Sequence, residues 1–217
     1  MSLNRAVIFV NGEIPSDDRV LRIIQPDDYF IAADGGVKHL LRLQIIPNIV
    51  VGDLDSITAS MKDRLSNQKV EFKTYPPEKE ATDLELALQT AYDKGFQEFL
   101  VVAALGGRVD QMLGNLSLLI NPRWENCHIV FDDGKDQALI IKNEEEIRGK
   151  NGDVVSLIPW MDDAIGVSTS GLQYPLQNET LWRYETRGIS NVLVADSAEI
   201  KIEKGSLLCI HSRKDNE

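Results

Sequence analysis

Short continuous apolar runs, each closing on a glycine- or aspartate-bearing turn, fill the first two-thirds of this chain and alternate with helix-like segments. Residues 6–10 read as a strand ending at the Asn11-Gly12 turn, and residues 17–24 as a helix closed before Pro26. Residues 29–33 form a second run, ending at Asp34-Gly35-Gly36 before a short helix over 37–43. A third run, 49–52, ends at Asp53-Leu54-Asp55, and residues 69–75 read as a fourth strand. Thr82, with Glu85 three residues on and Leu84, Leu86, Leu88 and Ala91 behind it, starts a helix that Gly95 ends. Residues 99–104 are the continuous apolar run of a strand covered on both faces. They lead through Gly106-Gly107-Arg108 to a helix over 110–120, and a further strand follows at 128–131. Strand–helix alternation of this kind predicts right-handed βαβ units and a parallel sheet.

The pattern then changes. Beyond about Gln137 only short strand-like runs remain, at 138–141, 154–159, 165–168, 192–195, 198–202 and 207–211, punctuated by Gly, Asn and Asp. The expectation is an α/β chain: a mostly parallel sheet flanked by helices over residues 1–136, followed by a smaller all-β sandwich domain over residues 137–217.

Composition narrows the function. With 43% hydrophobic and 26% charged residues among 217, the chain is of ordinary globular type. No apolar run approaches the roughly 18 residues of a membrane helix, and residues 6–10 are too short for the core of a signal peptide. Cys127 and Cys209 sit in apolar contexts and suggest no disulfide framework. A cytoplasmic protein is expected, with no membrane partner. The net charge of −11 argues against nucleic-acid binding. A chain this acidic that handled phosphates would need a divalent cation between the two sets of negative charge.

Small and acidic residues gather at the predicted carboxyl ends of the strands, where open α/β sheets bind ligands. Asp34-Gly35-Gly36 opens a helix and is either a structural turn or an anion cradle. Asp53 and Asp55, at i and i+2, can share a hard cation, or form a polar loop that caps the next helix. Thr82 and Asp83 suit a helix cap and first turn; with Lys79 and Glu80 they could equally hold a phosphate and a metal. Arg108 offers a fork of donors for phosphate oxygens, Asp110 could ligate metal or hold Arg108, and Asn115 follows on the helix. Five acids (Asp34, Asp53, Asp55, Asp83, Asp110) at one sheet edge would repel one another strongly unless a cation lay among them. No P-loop motif is present.

This ordered set resembles the thiamin pyrophosphokinase family. The resemblance rests on residues 33–36, 52–56, Thr82-Asp83 with 85–88, and 106–110 with Asn115. It continues in the second domain through 155–159, 171–176 and 188–191, and so spans nearly the whole chain. It implies a nucleotide-binding catalytic domain, a thiamin-binding and dimerisation domain, and a homodimer. The implied reaction is ATP + thiamin → AMP + thiamin diphosphate with Mg²⁺. By that resemblance Asp53, Asp55 and Asp83 hold metal, and with Arg108 and Asp110 form the catalytic set. Asp34, Gly35, Gly36, Lys79, Thr82, Gly107, Arg108 and Asn115 bind nucleotide, and Ser190, Asn191 and Trp182 bind thiamin. Two departures stand out: Glu80 where the family commonly has aspartate, and bulky residues over 181–185 where a smaller glycine-bearing segment is usual.

Two other readings compete. Asp53-Leu54-Asp55 after a strand resembles the nucleophile motif of haloacid-dehalogenase-like phosphatases, although that motif normally follows a first strand and here follows a third. A non-enzymatic Mg²⁺–nucleotide sensor is the other.

Overall fold

A computed structural model of the chain describes residues 5–214. It divides into two compact units, with the boundary between Gly134 and Lys135.

Unit 1 contains β1 (Ala6–Phe9), α1 (Asp17–Ile23), β2 (Tyr29–Ala33), α2 (Val37–Arg42), β3 (Ile49–Gly52) and α3 (Ala59–Asn67). It continues with β4 (Glu71–Thr74), α4 (Asp83–Asp93), β5 (Glu98–Val102), α5 (Val109–Leu118) and β6 (His128–Asp132). Its strands run β6-β5-β1-β2-β3-β4, and every neighbouring pair is parallel. From β1 the chain steps outward through β2, β3 and β4, then returns to place β5 on the other side of β1. The order therefore reverses between β1 and β5, where a crevice opens beyond the strand ends. All of β1 and β3 is buried, as parallel strands covered on both faces require. Edge strand β4 is polar and half-exposed, which leaves a poor template for pairing with another chain.

The helices follow from local rules. Thr82 caps α4 by accepting a hydrogen bond from the Glu85 amide at 3.2 Å. Leu84, Ala87, Leu88 and Ala91 fall at three- and four-residue spacing and are buried, and α4 packs on β2 and β3. Burying each of the two leucines contributes about 1.5–3 kcal/mol relative to leaving it exposed. The helix α3, with a single buried residue in Leu65, carries no such stripe and was not foreseen.

Unit 2 contains β7 (Asp136–Ile141), β8 (Glu144–Arg148), β9 (Val154–Pro159), β10 (Ala164–Ser170), β11 (Glu179–Leu181), β12 (Asn191–Val192), β13 (Ser197–Lys201) and β14 (Leu207–Ser212). Antiparallel pairs run β12-β9-β14-β7 in one sheet and β11-β10-β13-β8 in the other. Alternate residues of both are buried, among them Leu139, Ile141, Leu157 and Cys209 in the first and Ile147, Val167 and Ile200 in the second. That alternation is the core pattern of a β-sandwich. Burial pushes the Cys209 thiol up to about 12, so it behaves as a small apolar side chain. Cys127 is partly exposed. The strand expected over 192–195 shrinks to β12. Leu193 accepts from Gly152 and donates to Asp153 outside any ladder strand.

Candidate active site

The crevice at the β1/β5 reversal is a cleft of about 490 Å³, walled by the segments that leave β1, β2 and β5 and by the starts of α4 and α5. Of the residues singled out from the sequence, Asp34, Thr82, Asp83, Asp110 and Asn115 line it. Asn11, Gly12, Ala103 and Ala104 line it as well, and sequence reasoning missed them. An Asn-Gly pair after a strand reads as an ordinary turn, and alanines carry no chemical signature of their own.

The strand ends here are unusual in conformation. Asp34, Leu54 and Ala103, none of them glycine, have φ of 44°, 64° and 64°. Such left-handed conformations cost on the order of 1–3 kcal/mol each and persist where surroundings impose them. At Leu54 the conformation places Asp53 and Asp55 on either side of a tight turn, in which the Asp55 amide donates to Asp53 Oδ1 at 3.2 Å. Gly52 precedes them at φ 147°, and a Cβ there would lie 3.1 Å from both the Asp34 Cβ and Asp83 Oδ1. The β3 end can approach its acidic neighbours this closely only as glycine.

Carboxylate oxygens of Asp34, Asp53 and Asp55 lie within 4.8 Å of one another. The Ser56 hydroxyl donates to Asp34 Oδ2 at 2.6 Å and lies 3.2 Å from Asp55 Oδ1. Asp34 Oδ1 is buried and has no hydrogen-bond partner among the described residues. A buried acceptor left in that state costs about 1–3 kcal/mol. Hard oxygen donors, converging charge and one unsatisfied oxygen together fit a divalent cation. Asp34, assigned from the sequence to the nucleotide, thus sits with the metal candidates. Asp83, assigned to metal, instead accepts from Lys79 Nζ at 2.5 Å, and the same ammonium lies 3.9 Å from Asp53 Oδ2. Lys79 is largely buried between the two acids and offsets their repulsion.

Gly35 and Gly36 are buried in a 3₁₀ turn over Asp34–Gly36, with Gly35 against the Asn11 side chain. Arg108 lies at the surface in a bidentate pair with Asp110, at 3.1 and 2.5 Å. The pairing holds Asp110 below the usual carboxylate range and raises Arg108. Gly106 lines the cleft with Asp110, and Gly107 lies between Gly106 and Arg108 at φ 70°. Asn115 donates to the Ala104 carbonyl at 3.1 Å, tying α5 to the β5 end. Glu80 is exposed.

In unit 2, Ser190 and Asn191 line a separate small cleft of about 190 Å³ with Leu157, Tyr174, Leu176 and Ile189. Ser190 has φ of 59°, and its amide donates to the Ser156 hydroxyl at 3.0 Å. The Asn191 side chain accepts from the Tyr174 amide at 3.0 Å and donates to the Tyr174 carbonyl at 2.7 Å, so it holds the segment around Tyr174. Trp182 does not line that cleft; it stacks on Tyr184 at 6.1 Å, and both rings are exposed.

Comparisons with known proteins agree over both units. Residues 20–131 match the family description "Thiamin pyrophosphokinase, catalytic domain", and residues 139–207 match "Thiamin pyrophosphokinase, vitamin B1 binding domain". A thiamine pyrophosphokinase of Bacillus subtilis is 32% identical over 185 residues, covering 84% of this chain and 86% of its own. A crystal structure of thiamine pyrophosphokinase from Bacillus subtilis superposes with a TM-score of 0.86 at 27% identity, covering 98% of this chain and all of that one. Thiamin pyrophosphokinase from Candida albicans shares the fold at a TM-score of 0.81 and 17% identity, covering 99% and 91%. Neither the phosphatase reading nor the sensor reading is supported by these matches. The chain belongs to the thiamin pyrophosphokinase family.

Proposed function

We infer that this protein is an ATP-dependent diphosphotransferase that converts thiamin to thiamin diphosphate and releases AMP. The observation that carries the reading is the Asp34–Asp53–Asp55 cluster, with the unsatisfied buried oxygen of Asp34, the member that lines the β1/β5 cleft. Asp34, Asp53 and Asp55 would hold Mg²⁺, which neutralises charge on the phosphate oxygens when bound. Lys79, fixed by Asp83 and Asp53, adds a positive charge at the same edge. Gly106 and Gly107 leave space above their backbone: among the described residues, chain neighbours aside, no heavy atom lies within 4 Å of where a Cβ would stand, so a phosphate can come close. Arg108 exchanges its exposed pairing with Asp110 for the transferred group.

The hydroxyl oxygen of thiamin forms a bond to the β-phosphorus, the bridge between the α- and β-phosphates breaks, and AMP leaves. A cleft carboxylate takes the hydroxyl proton. Positioning and charge stabilisation carry most of such a transfer. Ser190, Asn191 and Trp182 hold thiamin in this reading, and the working form is a cytoplasmic homodimer. AMP release from ATP and Mg²⁺, measured with and without thiamin, tests the assignment. Thiamin-dependent AMP with thiamin diphosphate as co-product is expected; AMP release that ignores thiamin, or none at all, overturns it.

A further inference from the structure

The geometry points to His39 as a positioning residue for the nucleotide cleft, acting through the main chain of Gly12. The inference rests on the reading of that cleft as the ATP site. Gly12 stands on the segment leaving β1, at the point where strand order reverses, and lines the cleft beside Asn11. A Cβ on Gly12 would fall 2.0 Å from the Ala103 carbonyl oxygen, so this backbone lies directly on the left-handed end of β5. From the other side, His39 Nε2 lies 2.8 Å from the Gly12 carbonyl oxygen. The carbonyl can only accept, which makes Nε2 the protonated nitrogen. The peptide is thus clamped between α2 and β5.

A second tie reinforces the first. Arg42, three residues after His39 and on the same face of α2, donates to Asp17 Oδ1 at 2.7 Å and holds the start of α1. Both ends of the connection between β1 and α1 are therefore anchored on α2, and the connection presents Asn11 to the cleft. Asn11 packs against Gly35, next to Asp34. A displaced Gly12 peptide would shift a wall of the site without touching any acidic residue.

His39 is suited to staying neutral. Its Nδ1 is buried without a hydrogen-bond partner among the described residues, so protonation would place a charged N–H where nothing accepts it. Burial pushes its pKa below the ordinary histidine value; Arg42 and Lys38 push the same way, while the Gly12 carbonyl and Asp17 oppose them. The imidazole thereby serves as a fixed single donor across the neutral range.

The test uses the intact protein and α,β-methylene-ATP with Mg²⁺, since that analogue lacks the bridging oxygen whose bond breaks. Binding to the wild type tests the cleft assignment itself. Given that binding, His39→Ala is expected to weaken it about tenfold, the scale of one lost hydrogen bond at a positioned wall. His39→Gln, whose amide nitrogen reaches the place of Nε2, is expected to restore binding to within about twofold of wild type. In turnover the alanine variant raises KM for ATP more than it lowers kcat. Wild-type affinity in a folded His39→Ala protein overturns the inference, and so does a glutamine variant as weak as the alanine one. Should His39→Ala not fold, the glutamine variant alone decides: near-wild-type affinity upholds the role, and tenfold weaker binding removes it.

Discussion

Backbone and side chain of Asp34 are both held in conformations that cost free energy. Its φ of 44° is left-handed, and its Oδ1 is buried without a partner among the described residues. Ser56 fixes the other oxygen, and the carboxylate as a whole stands with those of Asp53 and Asp55. Such an arrangement is destabilising alone and favourable with a cation, so stability and activity should move in opposite directions when one acid is neutralised. In Asp55→Asn, relief of like-charge repulsion should raise the melting temperature of the metal-free protein by about 1–2 °C. The same change should lower turnover about a hundredfold to a thousandfold, because charge stabilisation at the transferred group is lost. Thermal denaturation in EDTA and AMP release in Mg²⁺ measure the two effects. A variant that melts lower in EDTA while keeping normal turnover would remove Asp55 from the metal set.

At the scale of elements, α4 shows how a local signal sets the site. Thr82 both caps the helix and lines the cleft, so the cap fixes where Asp83 meets Lys79. Thr82→Ala should cost about 1 kcal/mol and lower the melting temperature by about 2–4 °C. Thr82→Ser, which keeps the accepting oxygen, should recover most of that loss in the same melt. The α4 cap was legible in advance because capping boxes and apolar spacing are written in side chains. Elements held by something else were not. Helix α3 buries only Leu65, and β8 reads Glu-Glu-Glu-Ile-Arg with Ile147 alone fully buried. The β8 strand exists through its ladder with β13, in which Glu144 meets Lys201, and backbone pairing leaves no apolar alternation to read. The acidic strand ends were legible as a group, since position after an apolar run and residue type coincide. Which acids converge was not legible, because the grouping of Asp34 with Asp53 and Asp55 depends on the β2–β3 register and on left-handed turns at residues that are not glycine.

Over the whole molecule, the net charge of −11 makes the approach of a triphosphate unfavourable, and Asp34, Asp83, Glu85 and Asp110 in the cleft make it worse at short range. Lys79 is committed to Asp83 and Asp53, and Arg108 to Asp110, so neither cation stands ready in the ligand-free protein. Metal must then provide most of the compensating charge. Chelation with EDTA should weaken binding of ATP by about a hundredfold, to a residual affinity that can still be titrated, and Mg²⁺ should restore it. Salt offers a sharper check because its sign differs between the two states. Repulsion between the free nucleotide and the acidic protein is screened over about 10 Å at 0.1 M ionic strength, so the residual metal-free affinity should rise as salt is added. With Mg²⁺ present the dominant contacts are attractive and close, so affinity should fall slightly or hold constant. Titrations of ATP at low and high potassium chloride, with and without Mg²⁺, compare the two slopes. A metal-free affinity that falls with salt would mean that free cationic groups of the protein, rather than the metal, receive the phosphates.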